Sequence, residues 1–112
     1  MLIYKIFRAN EMAAFEAAGE TEGAPIDLTD GYIHFSTAET VAETAAKYFA
    51  NVEGLVLLTV DADTLGDALK WEPARGDVLF PHLYRRLRMD DIIARHELPL
   101  VDGSHVFLDV LA

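Results

Sequence analysis

The chain has 112 residues, no cysteine and a net charge of −10, with 52% hydrophobic residues. That length fits one domain around one core, and the apolar fraction excludes disorder by low hydrophobicity. The missing cysteine excludes disulfides, iron–sulfur clusters and cysteine zinc sites, and the acidic balance argues against duplex nucleic acid.

Leu2 to Phe7 alternates and reads as a first strand. Asn10 then suits a helix N-cap, Met12 and Phe15 recur at helical spacing, and Gly19 fits the C-terminal cap. Glu20 to Gly31 is turn-rich and reads as a loop. Tyr32-Ile33-His34-Phe35 predicts a short strand. Ser36-Thr37-Ala38-Glu39 matches a capping box for a second helix that presents Val41, Ala45, Tyr48 and Phe49 on one side. Leu55 to Val60 is a continuous apolar run, expected at the centre of a sheet. Asp61 to Asp67 reads as a polar turn, Leu69 to Glu72 as a strand, and Val78 to Leu87 as an apolar segment around Pro81. Ile92 to Leu98, a hairpin turn at Val101–Ser104 and a last strand over His105–Leu111 complete the chain. Two helices early and about six strands late predict a single α+β domain with a mostly antiparallel sheet.

No apolar run approaches the ~20 residues of a membrane span. The N-terminus lacks the pattern of a signal peptide, and the cysteine-free composition favours the cytoplasm. Charge is uneven. Residues 1–74 carry thirteen acids against four bases, whereas 75–95 hold Arg75, Arg85, Arg86, Arg88 and Arg95 against three aspartates. A local arginine cluster on an acidic body suits a small anionic ligand; the alternative is a solvated face of surface pairs.

Three stretches carry side chains that the folding problem leaves unexplained. Strand alternation puts Tyr32, His34 and Ser36 on one face and Ile33 and Phe35 on the core side. His34, Ser36 and Thr37 would then stand beside a helix N-terminus, which attracts anions. In Phe80-Pro81-His82-Leu83-Tyr84-Arg85-Arg86 the proline implies an edge or a bend. An extended course there would align His82, Tyr84 and Arg86, able to grip phosphate and move a proton. In Trp71-Glu72-Pro73 the lone tryptophan is expected in the core. Glu72 beside it would be a desolvated carboxylate with a raised pKa, or else a solvated strand end. His34 and His82 with Asp30 or Glu72 would also be the makings of a two-histidine metal hydrolase, although HExxH is absent.

Together with Tyr4-Lys5-Ile6, these stretches resemble the small bacterial family known as domain of unknown function 952 over nearly the whole chain. The resemblance implies an ADP-ribosyltransferase-like α+β fold. His34-Phe35-Ser36 looks like the element that holds the nicotinamide–ribose end of NAD in the toxin-type enzymes. Glu72 would stand in for their late glutamate, and His82, Arg85 and Arg86 are compatible with the phosphate-gripping residues of the RNA 2′-phosphotransferases. The expected site therefore has Glu72 and His82 as catalytic groups, and His34, Ser36, Thr37, Tyr84, Arg85 and Arg86 as ligand-binding groups. NAD or a derivative would be the ligand. A small-anion or peptide binding module without chemistry stays open beside it.

Overall fold

A computed structural model describes residues 1–74 and 76–107. β1 (Leu2–Phe7), β4 (Leu55–Asp61) and β8 (Ile92–Leu98) form one antiparallel sheet with β4 in the middle. β3 (Ile33–His34), β6 (Val78–Leu83) and β5 (Leu69–Ala74) form a second, with β6 in the middle. Two-residue strands make two further small antiparallel sheets: β2 (Glu20–Thr21) pairs with β7 (Leu87–Arg88), and β9 (Leu100–Val101) with β10 (Ser104–His105). The three α-helices among the described residues are α1 (Ala9–Ala18), α2 (Pro25–Asp30) and α3 (Val41–Tyr48). The α+β class and antiparallel pairing agree with the sequence reading. The single sheet of about six strands is instead divided, and the helix count rises by one. Among the described residues no helix is long and apolar enough to cross a membrane.

The run Leu55–Val60 is apolar throughout because β4 is covered on both faces. Val56, Leu58 and Val60 join Ile3, Phe7, Met12, Phe15 and Ile33 in one core. Leu55 and Leu57 join Tyr4, Ile6, Val41 and Ala45 in the other. Each fully buried side chain of this kind contributes about 1.5–3 kcal/mol. The outer edge of β1 is joined to the second sheet by one bridge: the Tyr4 and Ser36 N–H groups each donate to the other's carbonyl at 2.8 Å. That bridge places the two sheets side by side and leaves a cleft along β1.

Several local expectations change. The loop expected over 20–31 contains α2, which has Pro25 at its first position and Gly31 at φ 85 as its C-cap. α1 is entered from Arg8, not Asn10: Glu11 Oε1 accepts the Arg8 backbone N–H at 2.8 Å. Ser36 does not cap a helix. Its backbone is held by Tyr4, its Oγ meets Thr44 Oγ1 at 3.1 Å, and α3 starts five residues later, at Val41. Trp71 lies on the edge strand β5 and is 37% exposed, so it is not a core residue. Pro81 sits in the central strand β6, where its carbonyl accepts the Phe35 N–H at 3.0 Å. A residue's N–H and C=O leave a strand on the same side, so the missing donor faces β3 and the β3 ladder ends there. The turn at 101–104 is a tight hairpin with Asp102 and Gly103 both at positive φ, as its residues demand. Of the last strand expected over His105–Leu111, His105 pairs in β10 while Val106 and Phe107 lie outside any strand; residues 108–111, like Arg75 of the arginine cluster, lie outside the described residues.

Candidate functional site

The register of β3 on β6 sets His34 directly opposite His82. Their ring centroids are 5.4 Å apart, edge to face. Tyr32 closes over both, stacked on His82 at 4.2 Å and tilted against His34 at 4.7 Å. Ile33 and Phe35 are buried on the opposite face, as strand alternation requires.

Each imidazole is anchored through Nδ1 to a carboxylate. His34 Nδ1 lies 2.5 Å from Asp27 Oδ1, and His82 Nδ1 lies 2.8 Å from Glu72 Oε1. A carboxylate only accepts, so Nδ1 carries the hydrogen in both rings. The two differ at Nε2. In His34 that atom lies 3.0 Å from Asp30 Oδ2. In His82, which is 3% exposed, it has no hydrogen-bond partner among the described residues.

Asp27 went unnoticed in the sequence, yet it organises the site. Its carboxylate is 1% exposed and collects four donors: Lys5 Nζ at 2.7 Å, the Ala24 N–H at 2.8 Å, the His34 N–H at 3.1 Å and His34 Nδ1. Burial pushes its pKa up, but the bonds from His34 and Lys5 outweigh that and hold it below the ordinary 3.8. Burial depresses the Lys5 ammonium, against the pull of Asp27. Lys5 also donates to the His34 carbonyl at 2.9 Å, so the ion pair fixes both the backbone and the ring of His34. The local signal was present: Ala24-Pro25-Ile26-Asp27, closed by Gly31, is a helix start with an acid at the third position.

Glu72 is likewise more anchored than expected. Its Oε1 accepts the Tyr84 hydroxyl at 2.6 Å as well as His82 Nδ1. These bonds lower its pKa rather than raise it, and push Tyr84 up to about 12. Of the two readings of Glu72, the desolvated acid with a raised pKa does not hold: two donors to the charged form prevail over burial at a partly exposed position.

The cleft along β1 has a volume of about 680 Å³ and is lined by His34, His82, Tyr32 and Ser36, with Tyr4 and Lys5 from β1. Tyr84, Arg85 and Arg86 border a smaller hollow of about 350 Å³, which shares Tyr32 with the cleft. Their guanidiniums are engaged: Arg85 forks onto both Asp91 oxygens at 2.9 and 3.0 Å, and Arg86 bonds Glu20. Thr37 is buried and bonded to Thr40. The structure thus brings His34, Ser36 and His82 to one cleft, with Glu72 and Tyr84 behind His82. Among the described residues no three His, Asp or Glu side chains are grouped to hold a metal ion.

Comparison with known proteins agrees with this architecture. The crystal structure of protein CC0527 from Caulobacter crescentus superposes with a TM-score of 0.95 at 46% identity, covering 99% of this chain and 98% of that one. Its solution NMR structure gives a TM-score of 0.83 at 46% identity, over 93% and 90% of the two chains. No curated protein matches the chain. The family model described as "Protein of unknown function (DUF952)" matches residues 6–95, and the chain belongs to that family.

Proposed function

We propose that the cleft binds a small nucleotide-like anion, NAD or a derivative being the first to test, and that His82 exchanges a proton with it. The single observation that carries this reading is the open Nε2 of His82 at the cleft, backed by Nδ1 on Glu72. A carboxylate behind an imidazole holds the tautomer in which Nε2 is the acceptor, the arrangement a general base needs. Ser36 supplies a hydroxyl on the same wall, and the rings of Tyr32 and His34 supply flat faces there. We read the fold as ADP-ribosyltransferase-like, with two antiparallel sheets beside the cleft, and assign His34-Phe35-Ser36 as the element that would hold a ribose.

Titration with NAD, ADP-ribose and adenosine monophosphate, followed by amide NMR shifts, tests the binding half. Shifts at His34, Ser36 and His82 are expected; their absence with every ligand would remove the reading. Where turnover is found, His82→Gln should abolish it with little change in affinity. A second reading is binding without chemistry. It draws on the saturation of His34, whose two ring nitrogens both face carboxylates. Under it, Glu72→Gln and His82→Gln would leave ligand affinity unchanged, and no ligand would be converted.

A further inference from the structure

Arg8, just past the end of β1, lines the same cleft. Its guanidinium stands 4.7 Å from the centroid of the Phe49 ring, close enough for a cation–π contact that fixes its position. The nearest carboxylate oxygen, Glu11 Oε2, is 3.8 Å away, beyond hydrogen-bond reach. The other oxygen, Glu11 Oε1, is occupied by the Arg8 backbone N–H. The guanidinium therefore makes no hydrogen bond to the described residues, while its side chain is 44% exposed.

No other described cation on either hollow is in this condition. Lys5 is tied to Asp27 and the His34 carbonyl, Arg85 to Asp91, and Arg86 to Glu20. Exposed Tyr48 and half-buried Phe49 flank Arg8 on the cleft wall. Ser36 Oγ and Thr44 Oγ1 lie 3.1 Å apart on the same lining, as does Tyr4, whose buried hydroxyl has no partner among the described residues. Lys5, which grips the His34 carbonyl, precedes Arg8 by three residues. Along an extended strand that is roughly 10 Å.

We propose that Arg8 is the anion subsite of the cleft and takes the phosphoryl group of a nucleoside monophosphate-sized ligand. The planar fork of a guanidinium matches two phosphate oxygens, and Phe49 holds it pre-oriented. The run of chain from Lys5, which holds the His34 carbonyl, to Arg8 suits a phosphoryl group joined to a ribose, not inorganic phosphate bridging both ends. The inference rests on the reading above for the class of ligand but not for any chemistry at His82.

The test uses the whole chain, with amide and arginine Nε–H shifts followed during titration with adenosine monophosphate, adenosine and inorganic pyrophosphate. Adenosine monophosphate should shift Arg8 Nε–H together with Phe49 and His34. Arg8→Gln should weaken its binding about tenfold or more and leave adenosine unaffected. Arg8→Lys, which keeps the charge but loses the fork, should recover only part of the loss. Arg95→Gln, which removes an equal charge away from the cleft lining, should change nothing. If the nucleotide shifts the histidines and Arg8→Gln binds it as tightly as wild type, the subsite is wrong and the cleft reading survives. If pyrophosphate shifts Arg8 while no ligand reaches His34 or His82, the subsite stands and the nucleotide reading fails. Arg8 Nε–H unmoved by every phosphorylated probe overturns the proposal.

Discussion

Asp27 meets His34 twice on one oxygen: the His34 N–H donates to Oδ1 at 3.1 Å, and Nδ1 approaches the same atom at 2.5 Å. One buried carboxylate thus fixes where the strand runs and how its imidazole is turned. Its other oxygen is held by Lys5 and by the start of α2.

Replacing Asp27 by Asn removes the counter-charge of a buried ammonium. Unfolding in urea should show a loss of about 3–5 kcal/mol, the usual cost of leaving one member of a buried pair. The double variant Lys5→Met with Asp27→Asn should recover part of it. A double variant no better than Asp27→Asn alone would mean that the ion pair is not the source of the loss.

Gly23 guards the same carboxylate. It has φ +104, and a Cβ there would come within 2.3 Å of Asp27 Oδ2. Gly23→Ala must displace Asp27 as well as strain the backbone. A destabilisation of about 1–3 kcal/mol is expected, together with altered His34 ring shifts in long-range proton–nitrogen spectra. Unchanged His34 signals in the folded variant would contradict the coupling.

Tyr84 and Glu72 report on each other. The Glu72 carboxylate is the main cause of the elevation of Tyr84 to about 12. Glu72→Gln should bring the phenol down toward its ordinary value of about 10, read by ultraviolet absorbance of the phenolate. In the reverse direction, Tyr84→Phe should raise the Glu72 carboxyl, because the largest lowering influence on it is gone. Its titration can be followed by the side-chain carbon shift.

Acid should destabilise the fold through identified groups. Asp27 and Asp91 sit below 3.8 and Glu72 below 4.5 when folded, so the unfolded chain binds more protons in the interval between. The stability these groups contribute is fully present above their unfolded values and is lost as pH falls through the folded ones. Urea midpoints should be flat in this contribution from neutral pH to about 5 and drop below about 4.5. Asp27→Asn should show a shallower acid limb.

Trp71 provides a check on the exposed face of β5. At 37% exposure its fluorescence should be readily quenched by acrylamide. Trp71→Phe should cost less than about 1 kcal/mol, against about 3–5 for truncating a buried tryptophan.

What the sequence determined by itself was whatever depends on neighbours along the chain. The alternation of Leu2–Phe7, the apolar run Leu55–Val60 and the Asp102-Gly103 turn all formed as read, because period and turn chemistry act over a few residues. The same alternation put His34 and Ser36 on one side and Ile33 and Phe35 in the core. Tertiary structure decided the rest. Ser36 had the pattern of a helix cap, but the first strand claimed its backbone instead: Tyr4, far earlier in the chain, both donates to the Ser36 carbonyl and accepts its N–H. Glu72 read as either a desolvated acid or a solvated strand end, and Tyr84 and His82 made it a hydrogen-bonded carboxylate instead. Asp27 looked like one more acid in a polar loop; only the approach of Lys5 and His34, from β1 and β3, made it the centre of the site. The physical reason is common to all three: a polar side chain's role is set by the partner that bonds it, and those partners lie beyond the few residues over which period and turn chemistry act.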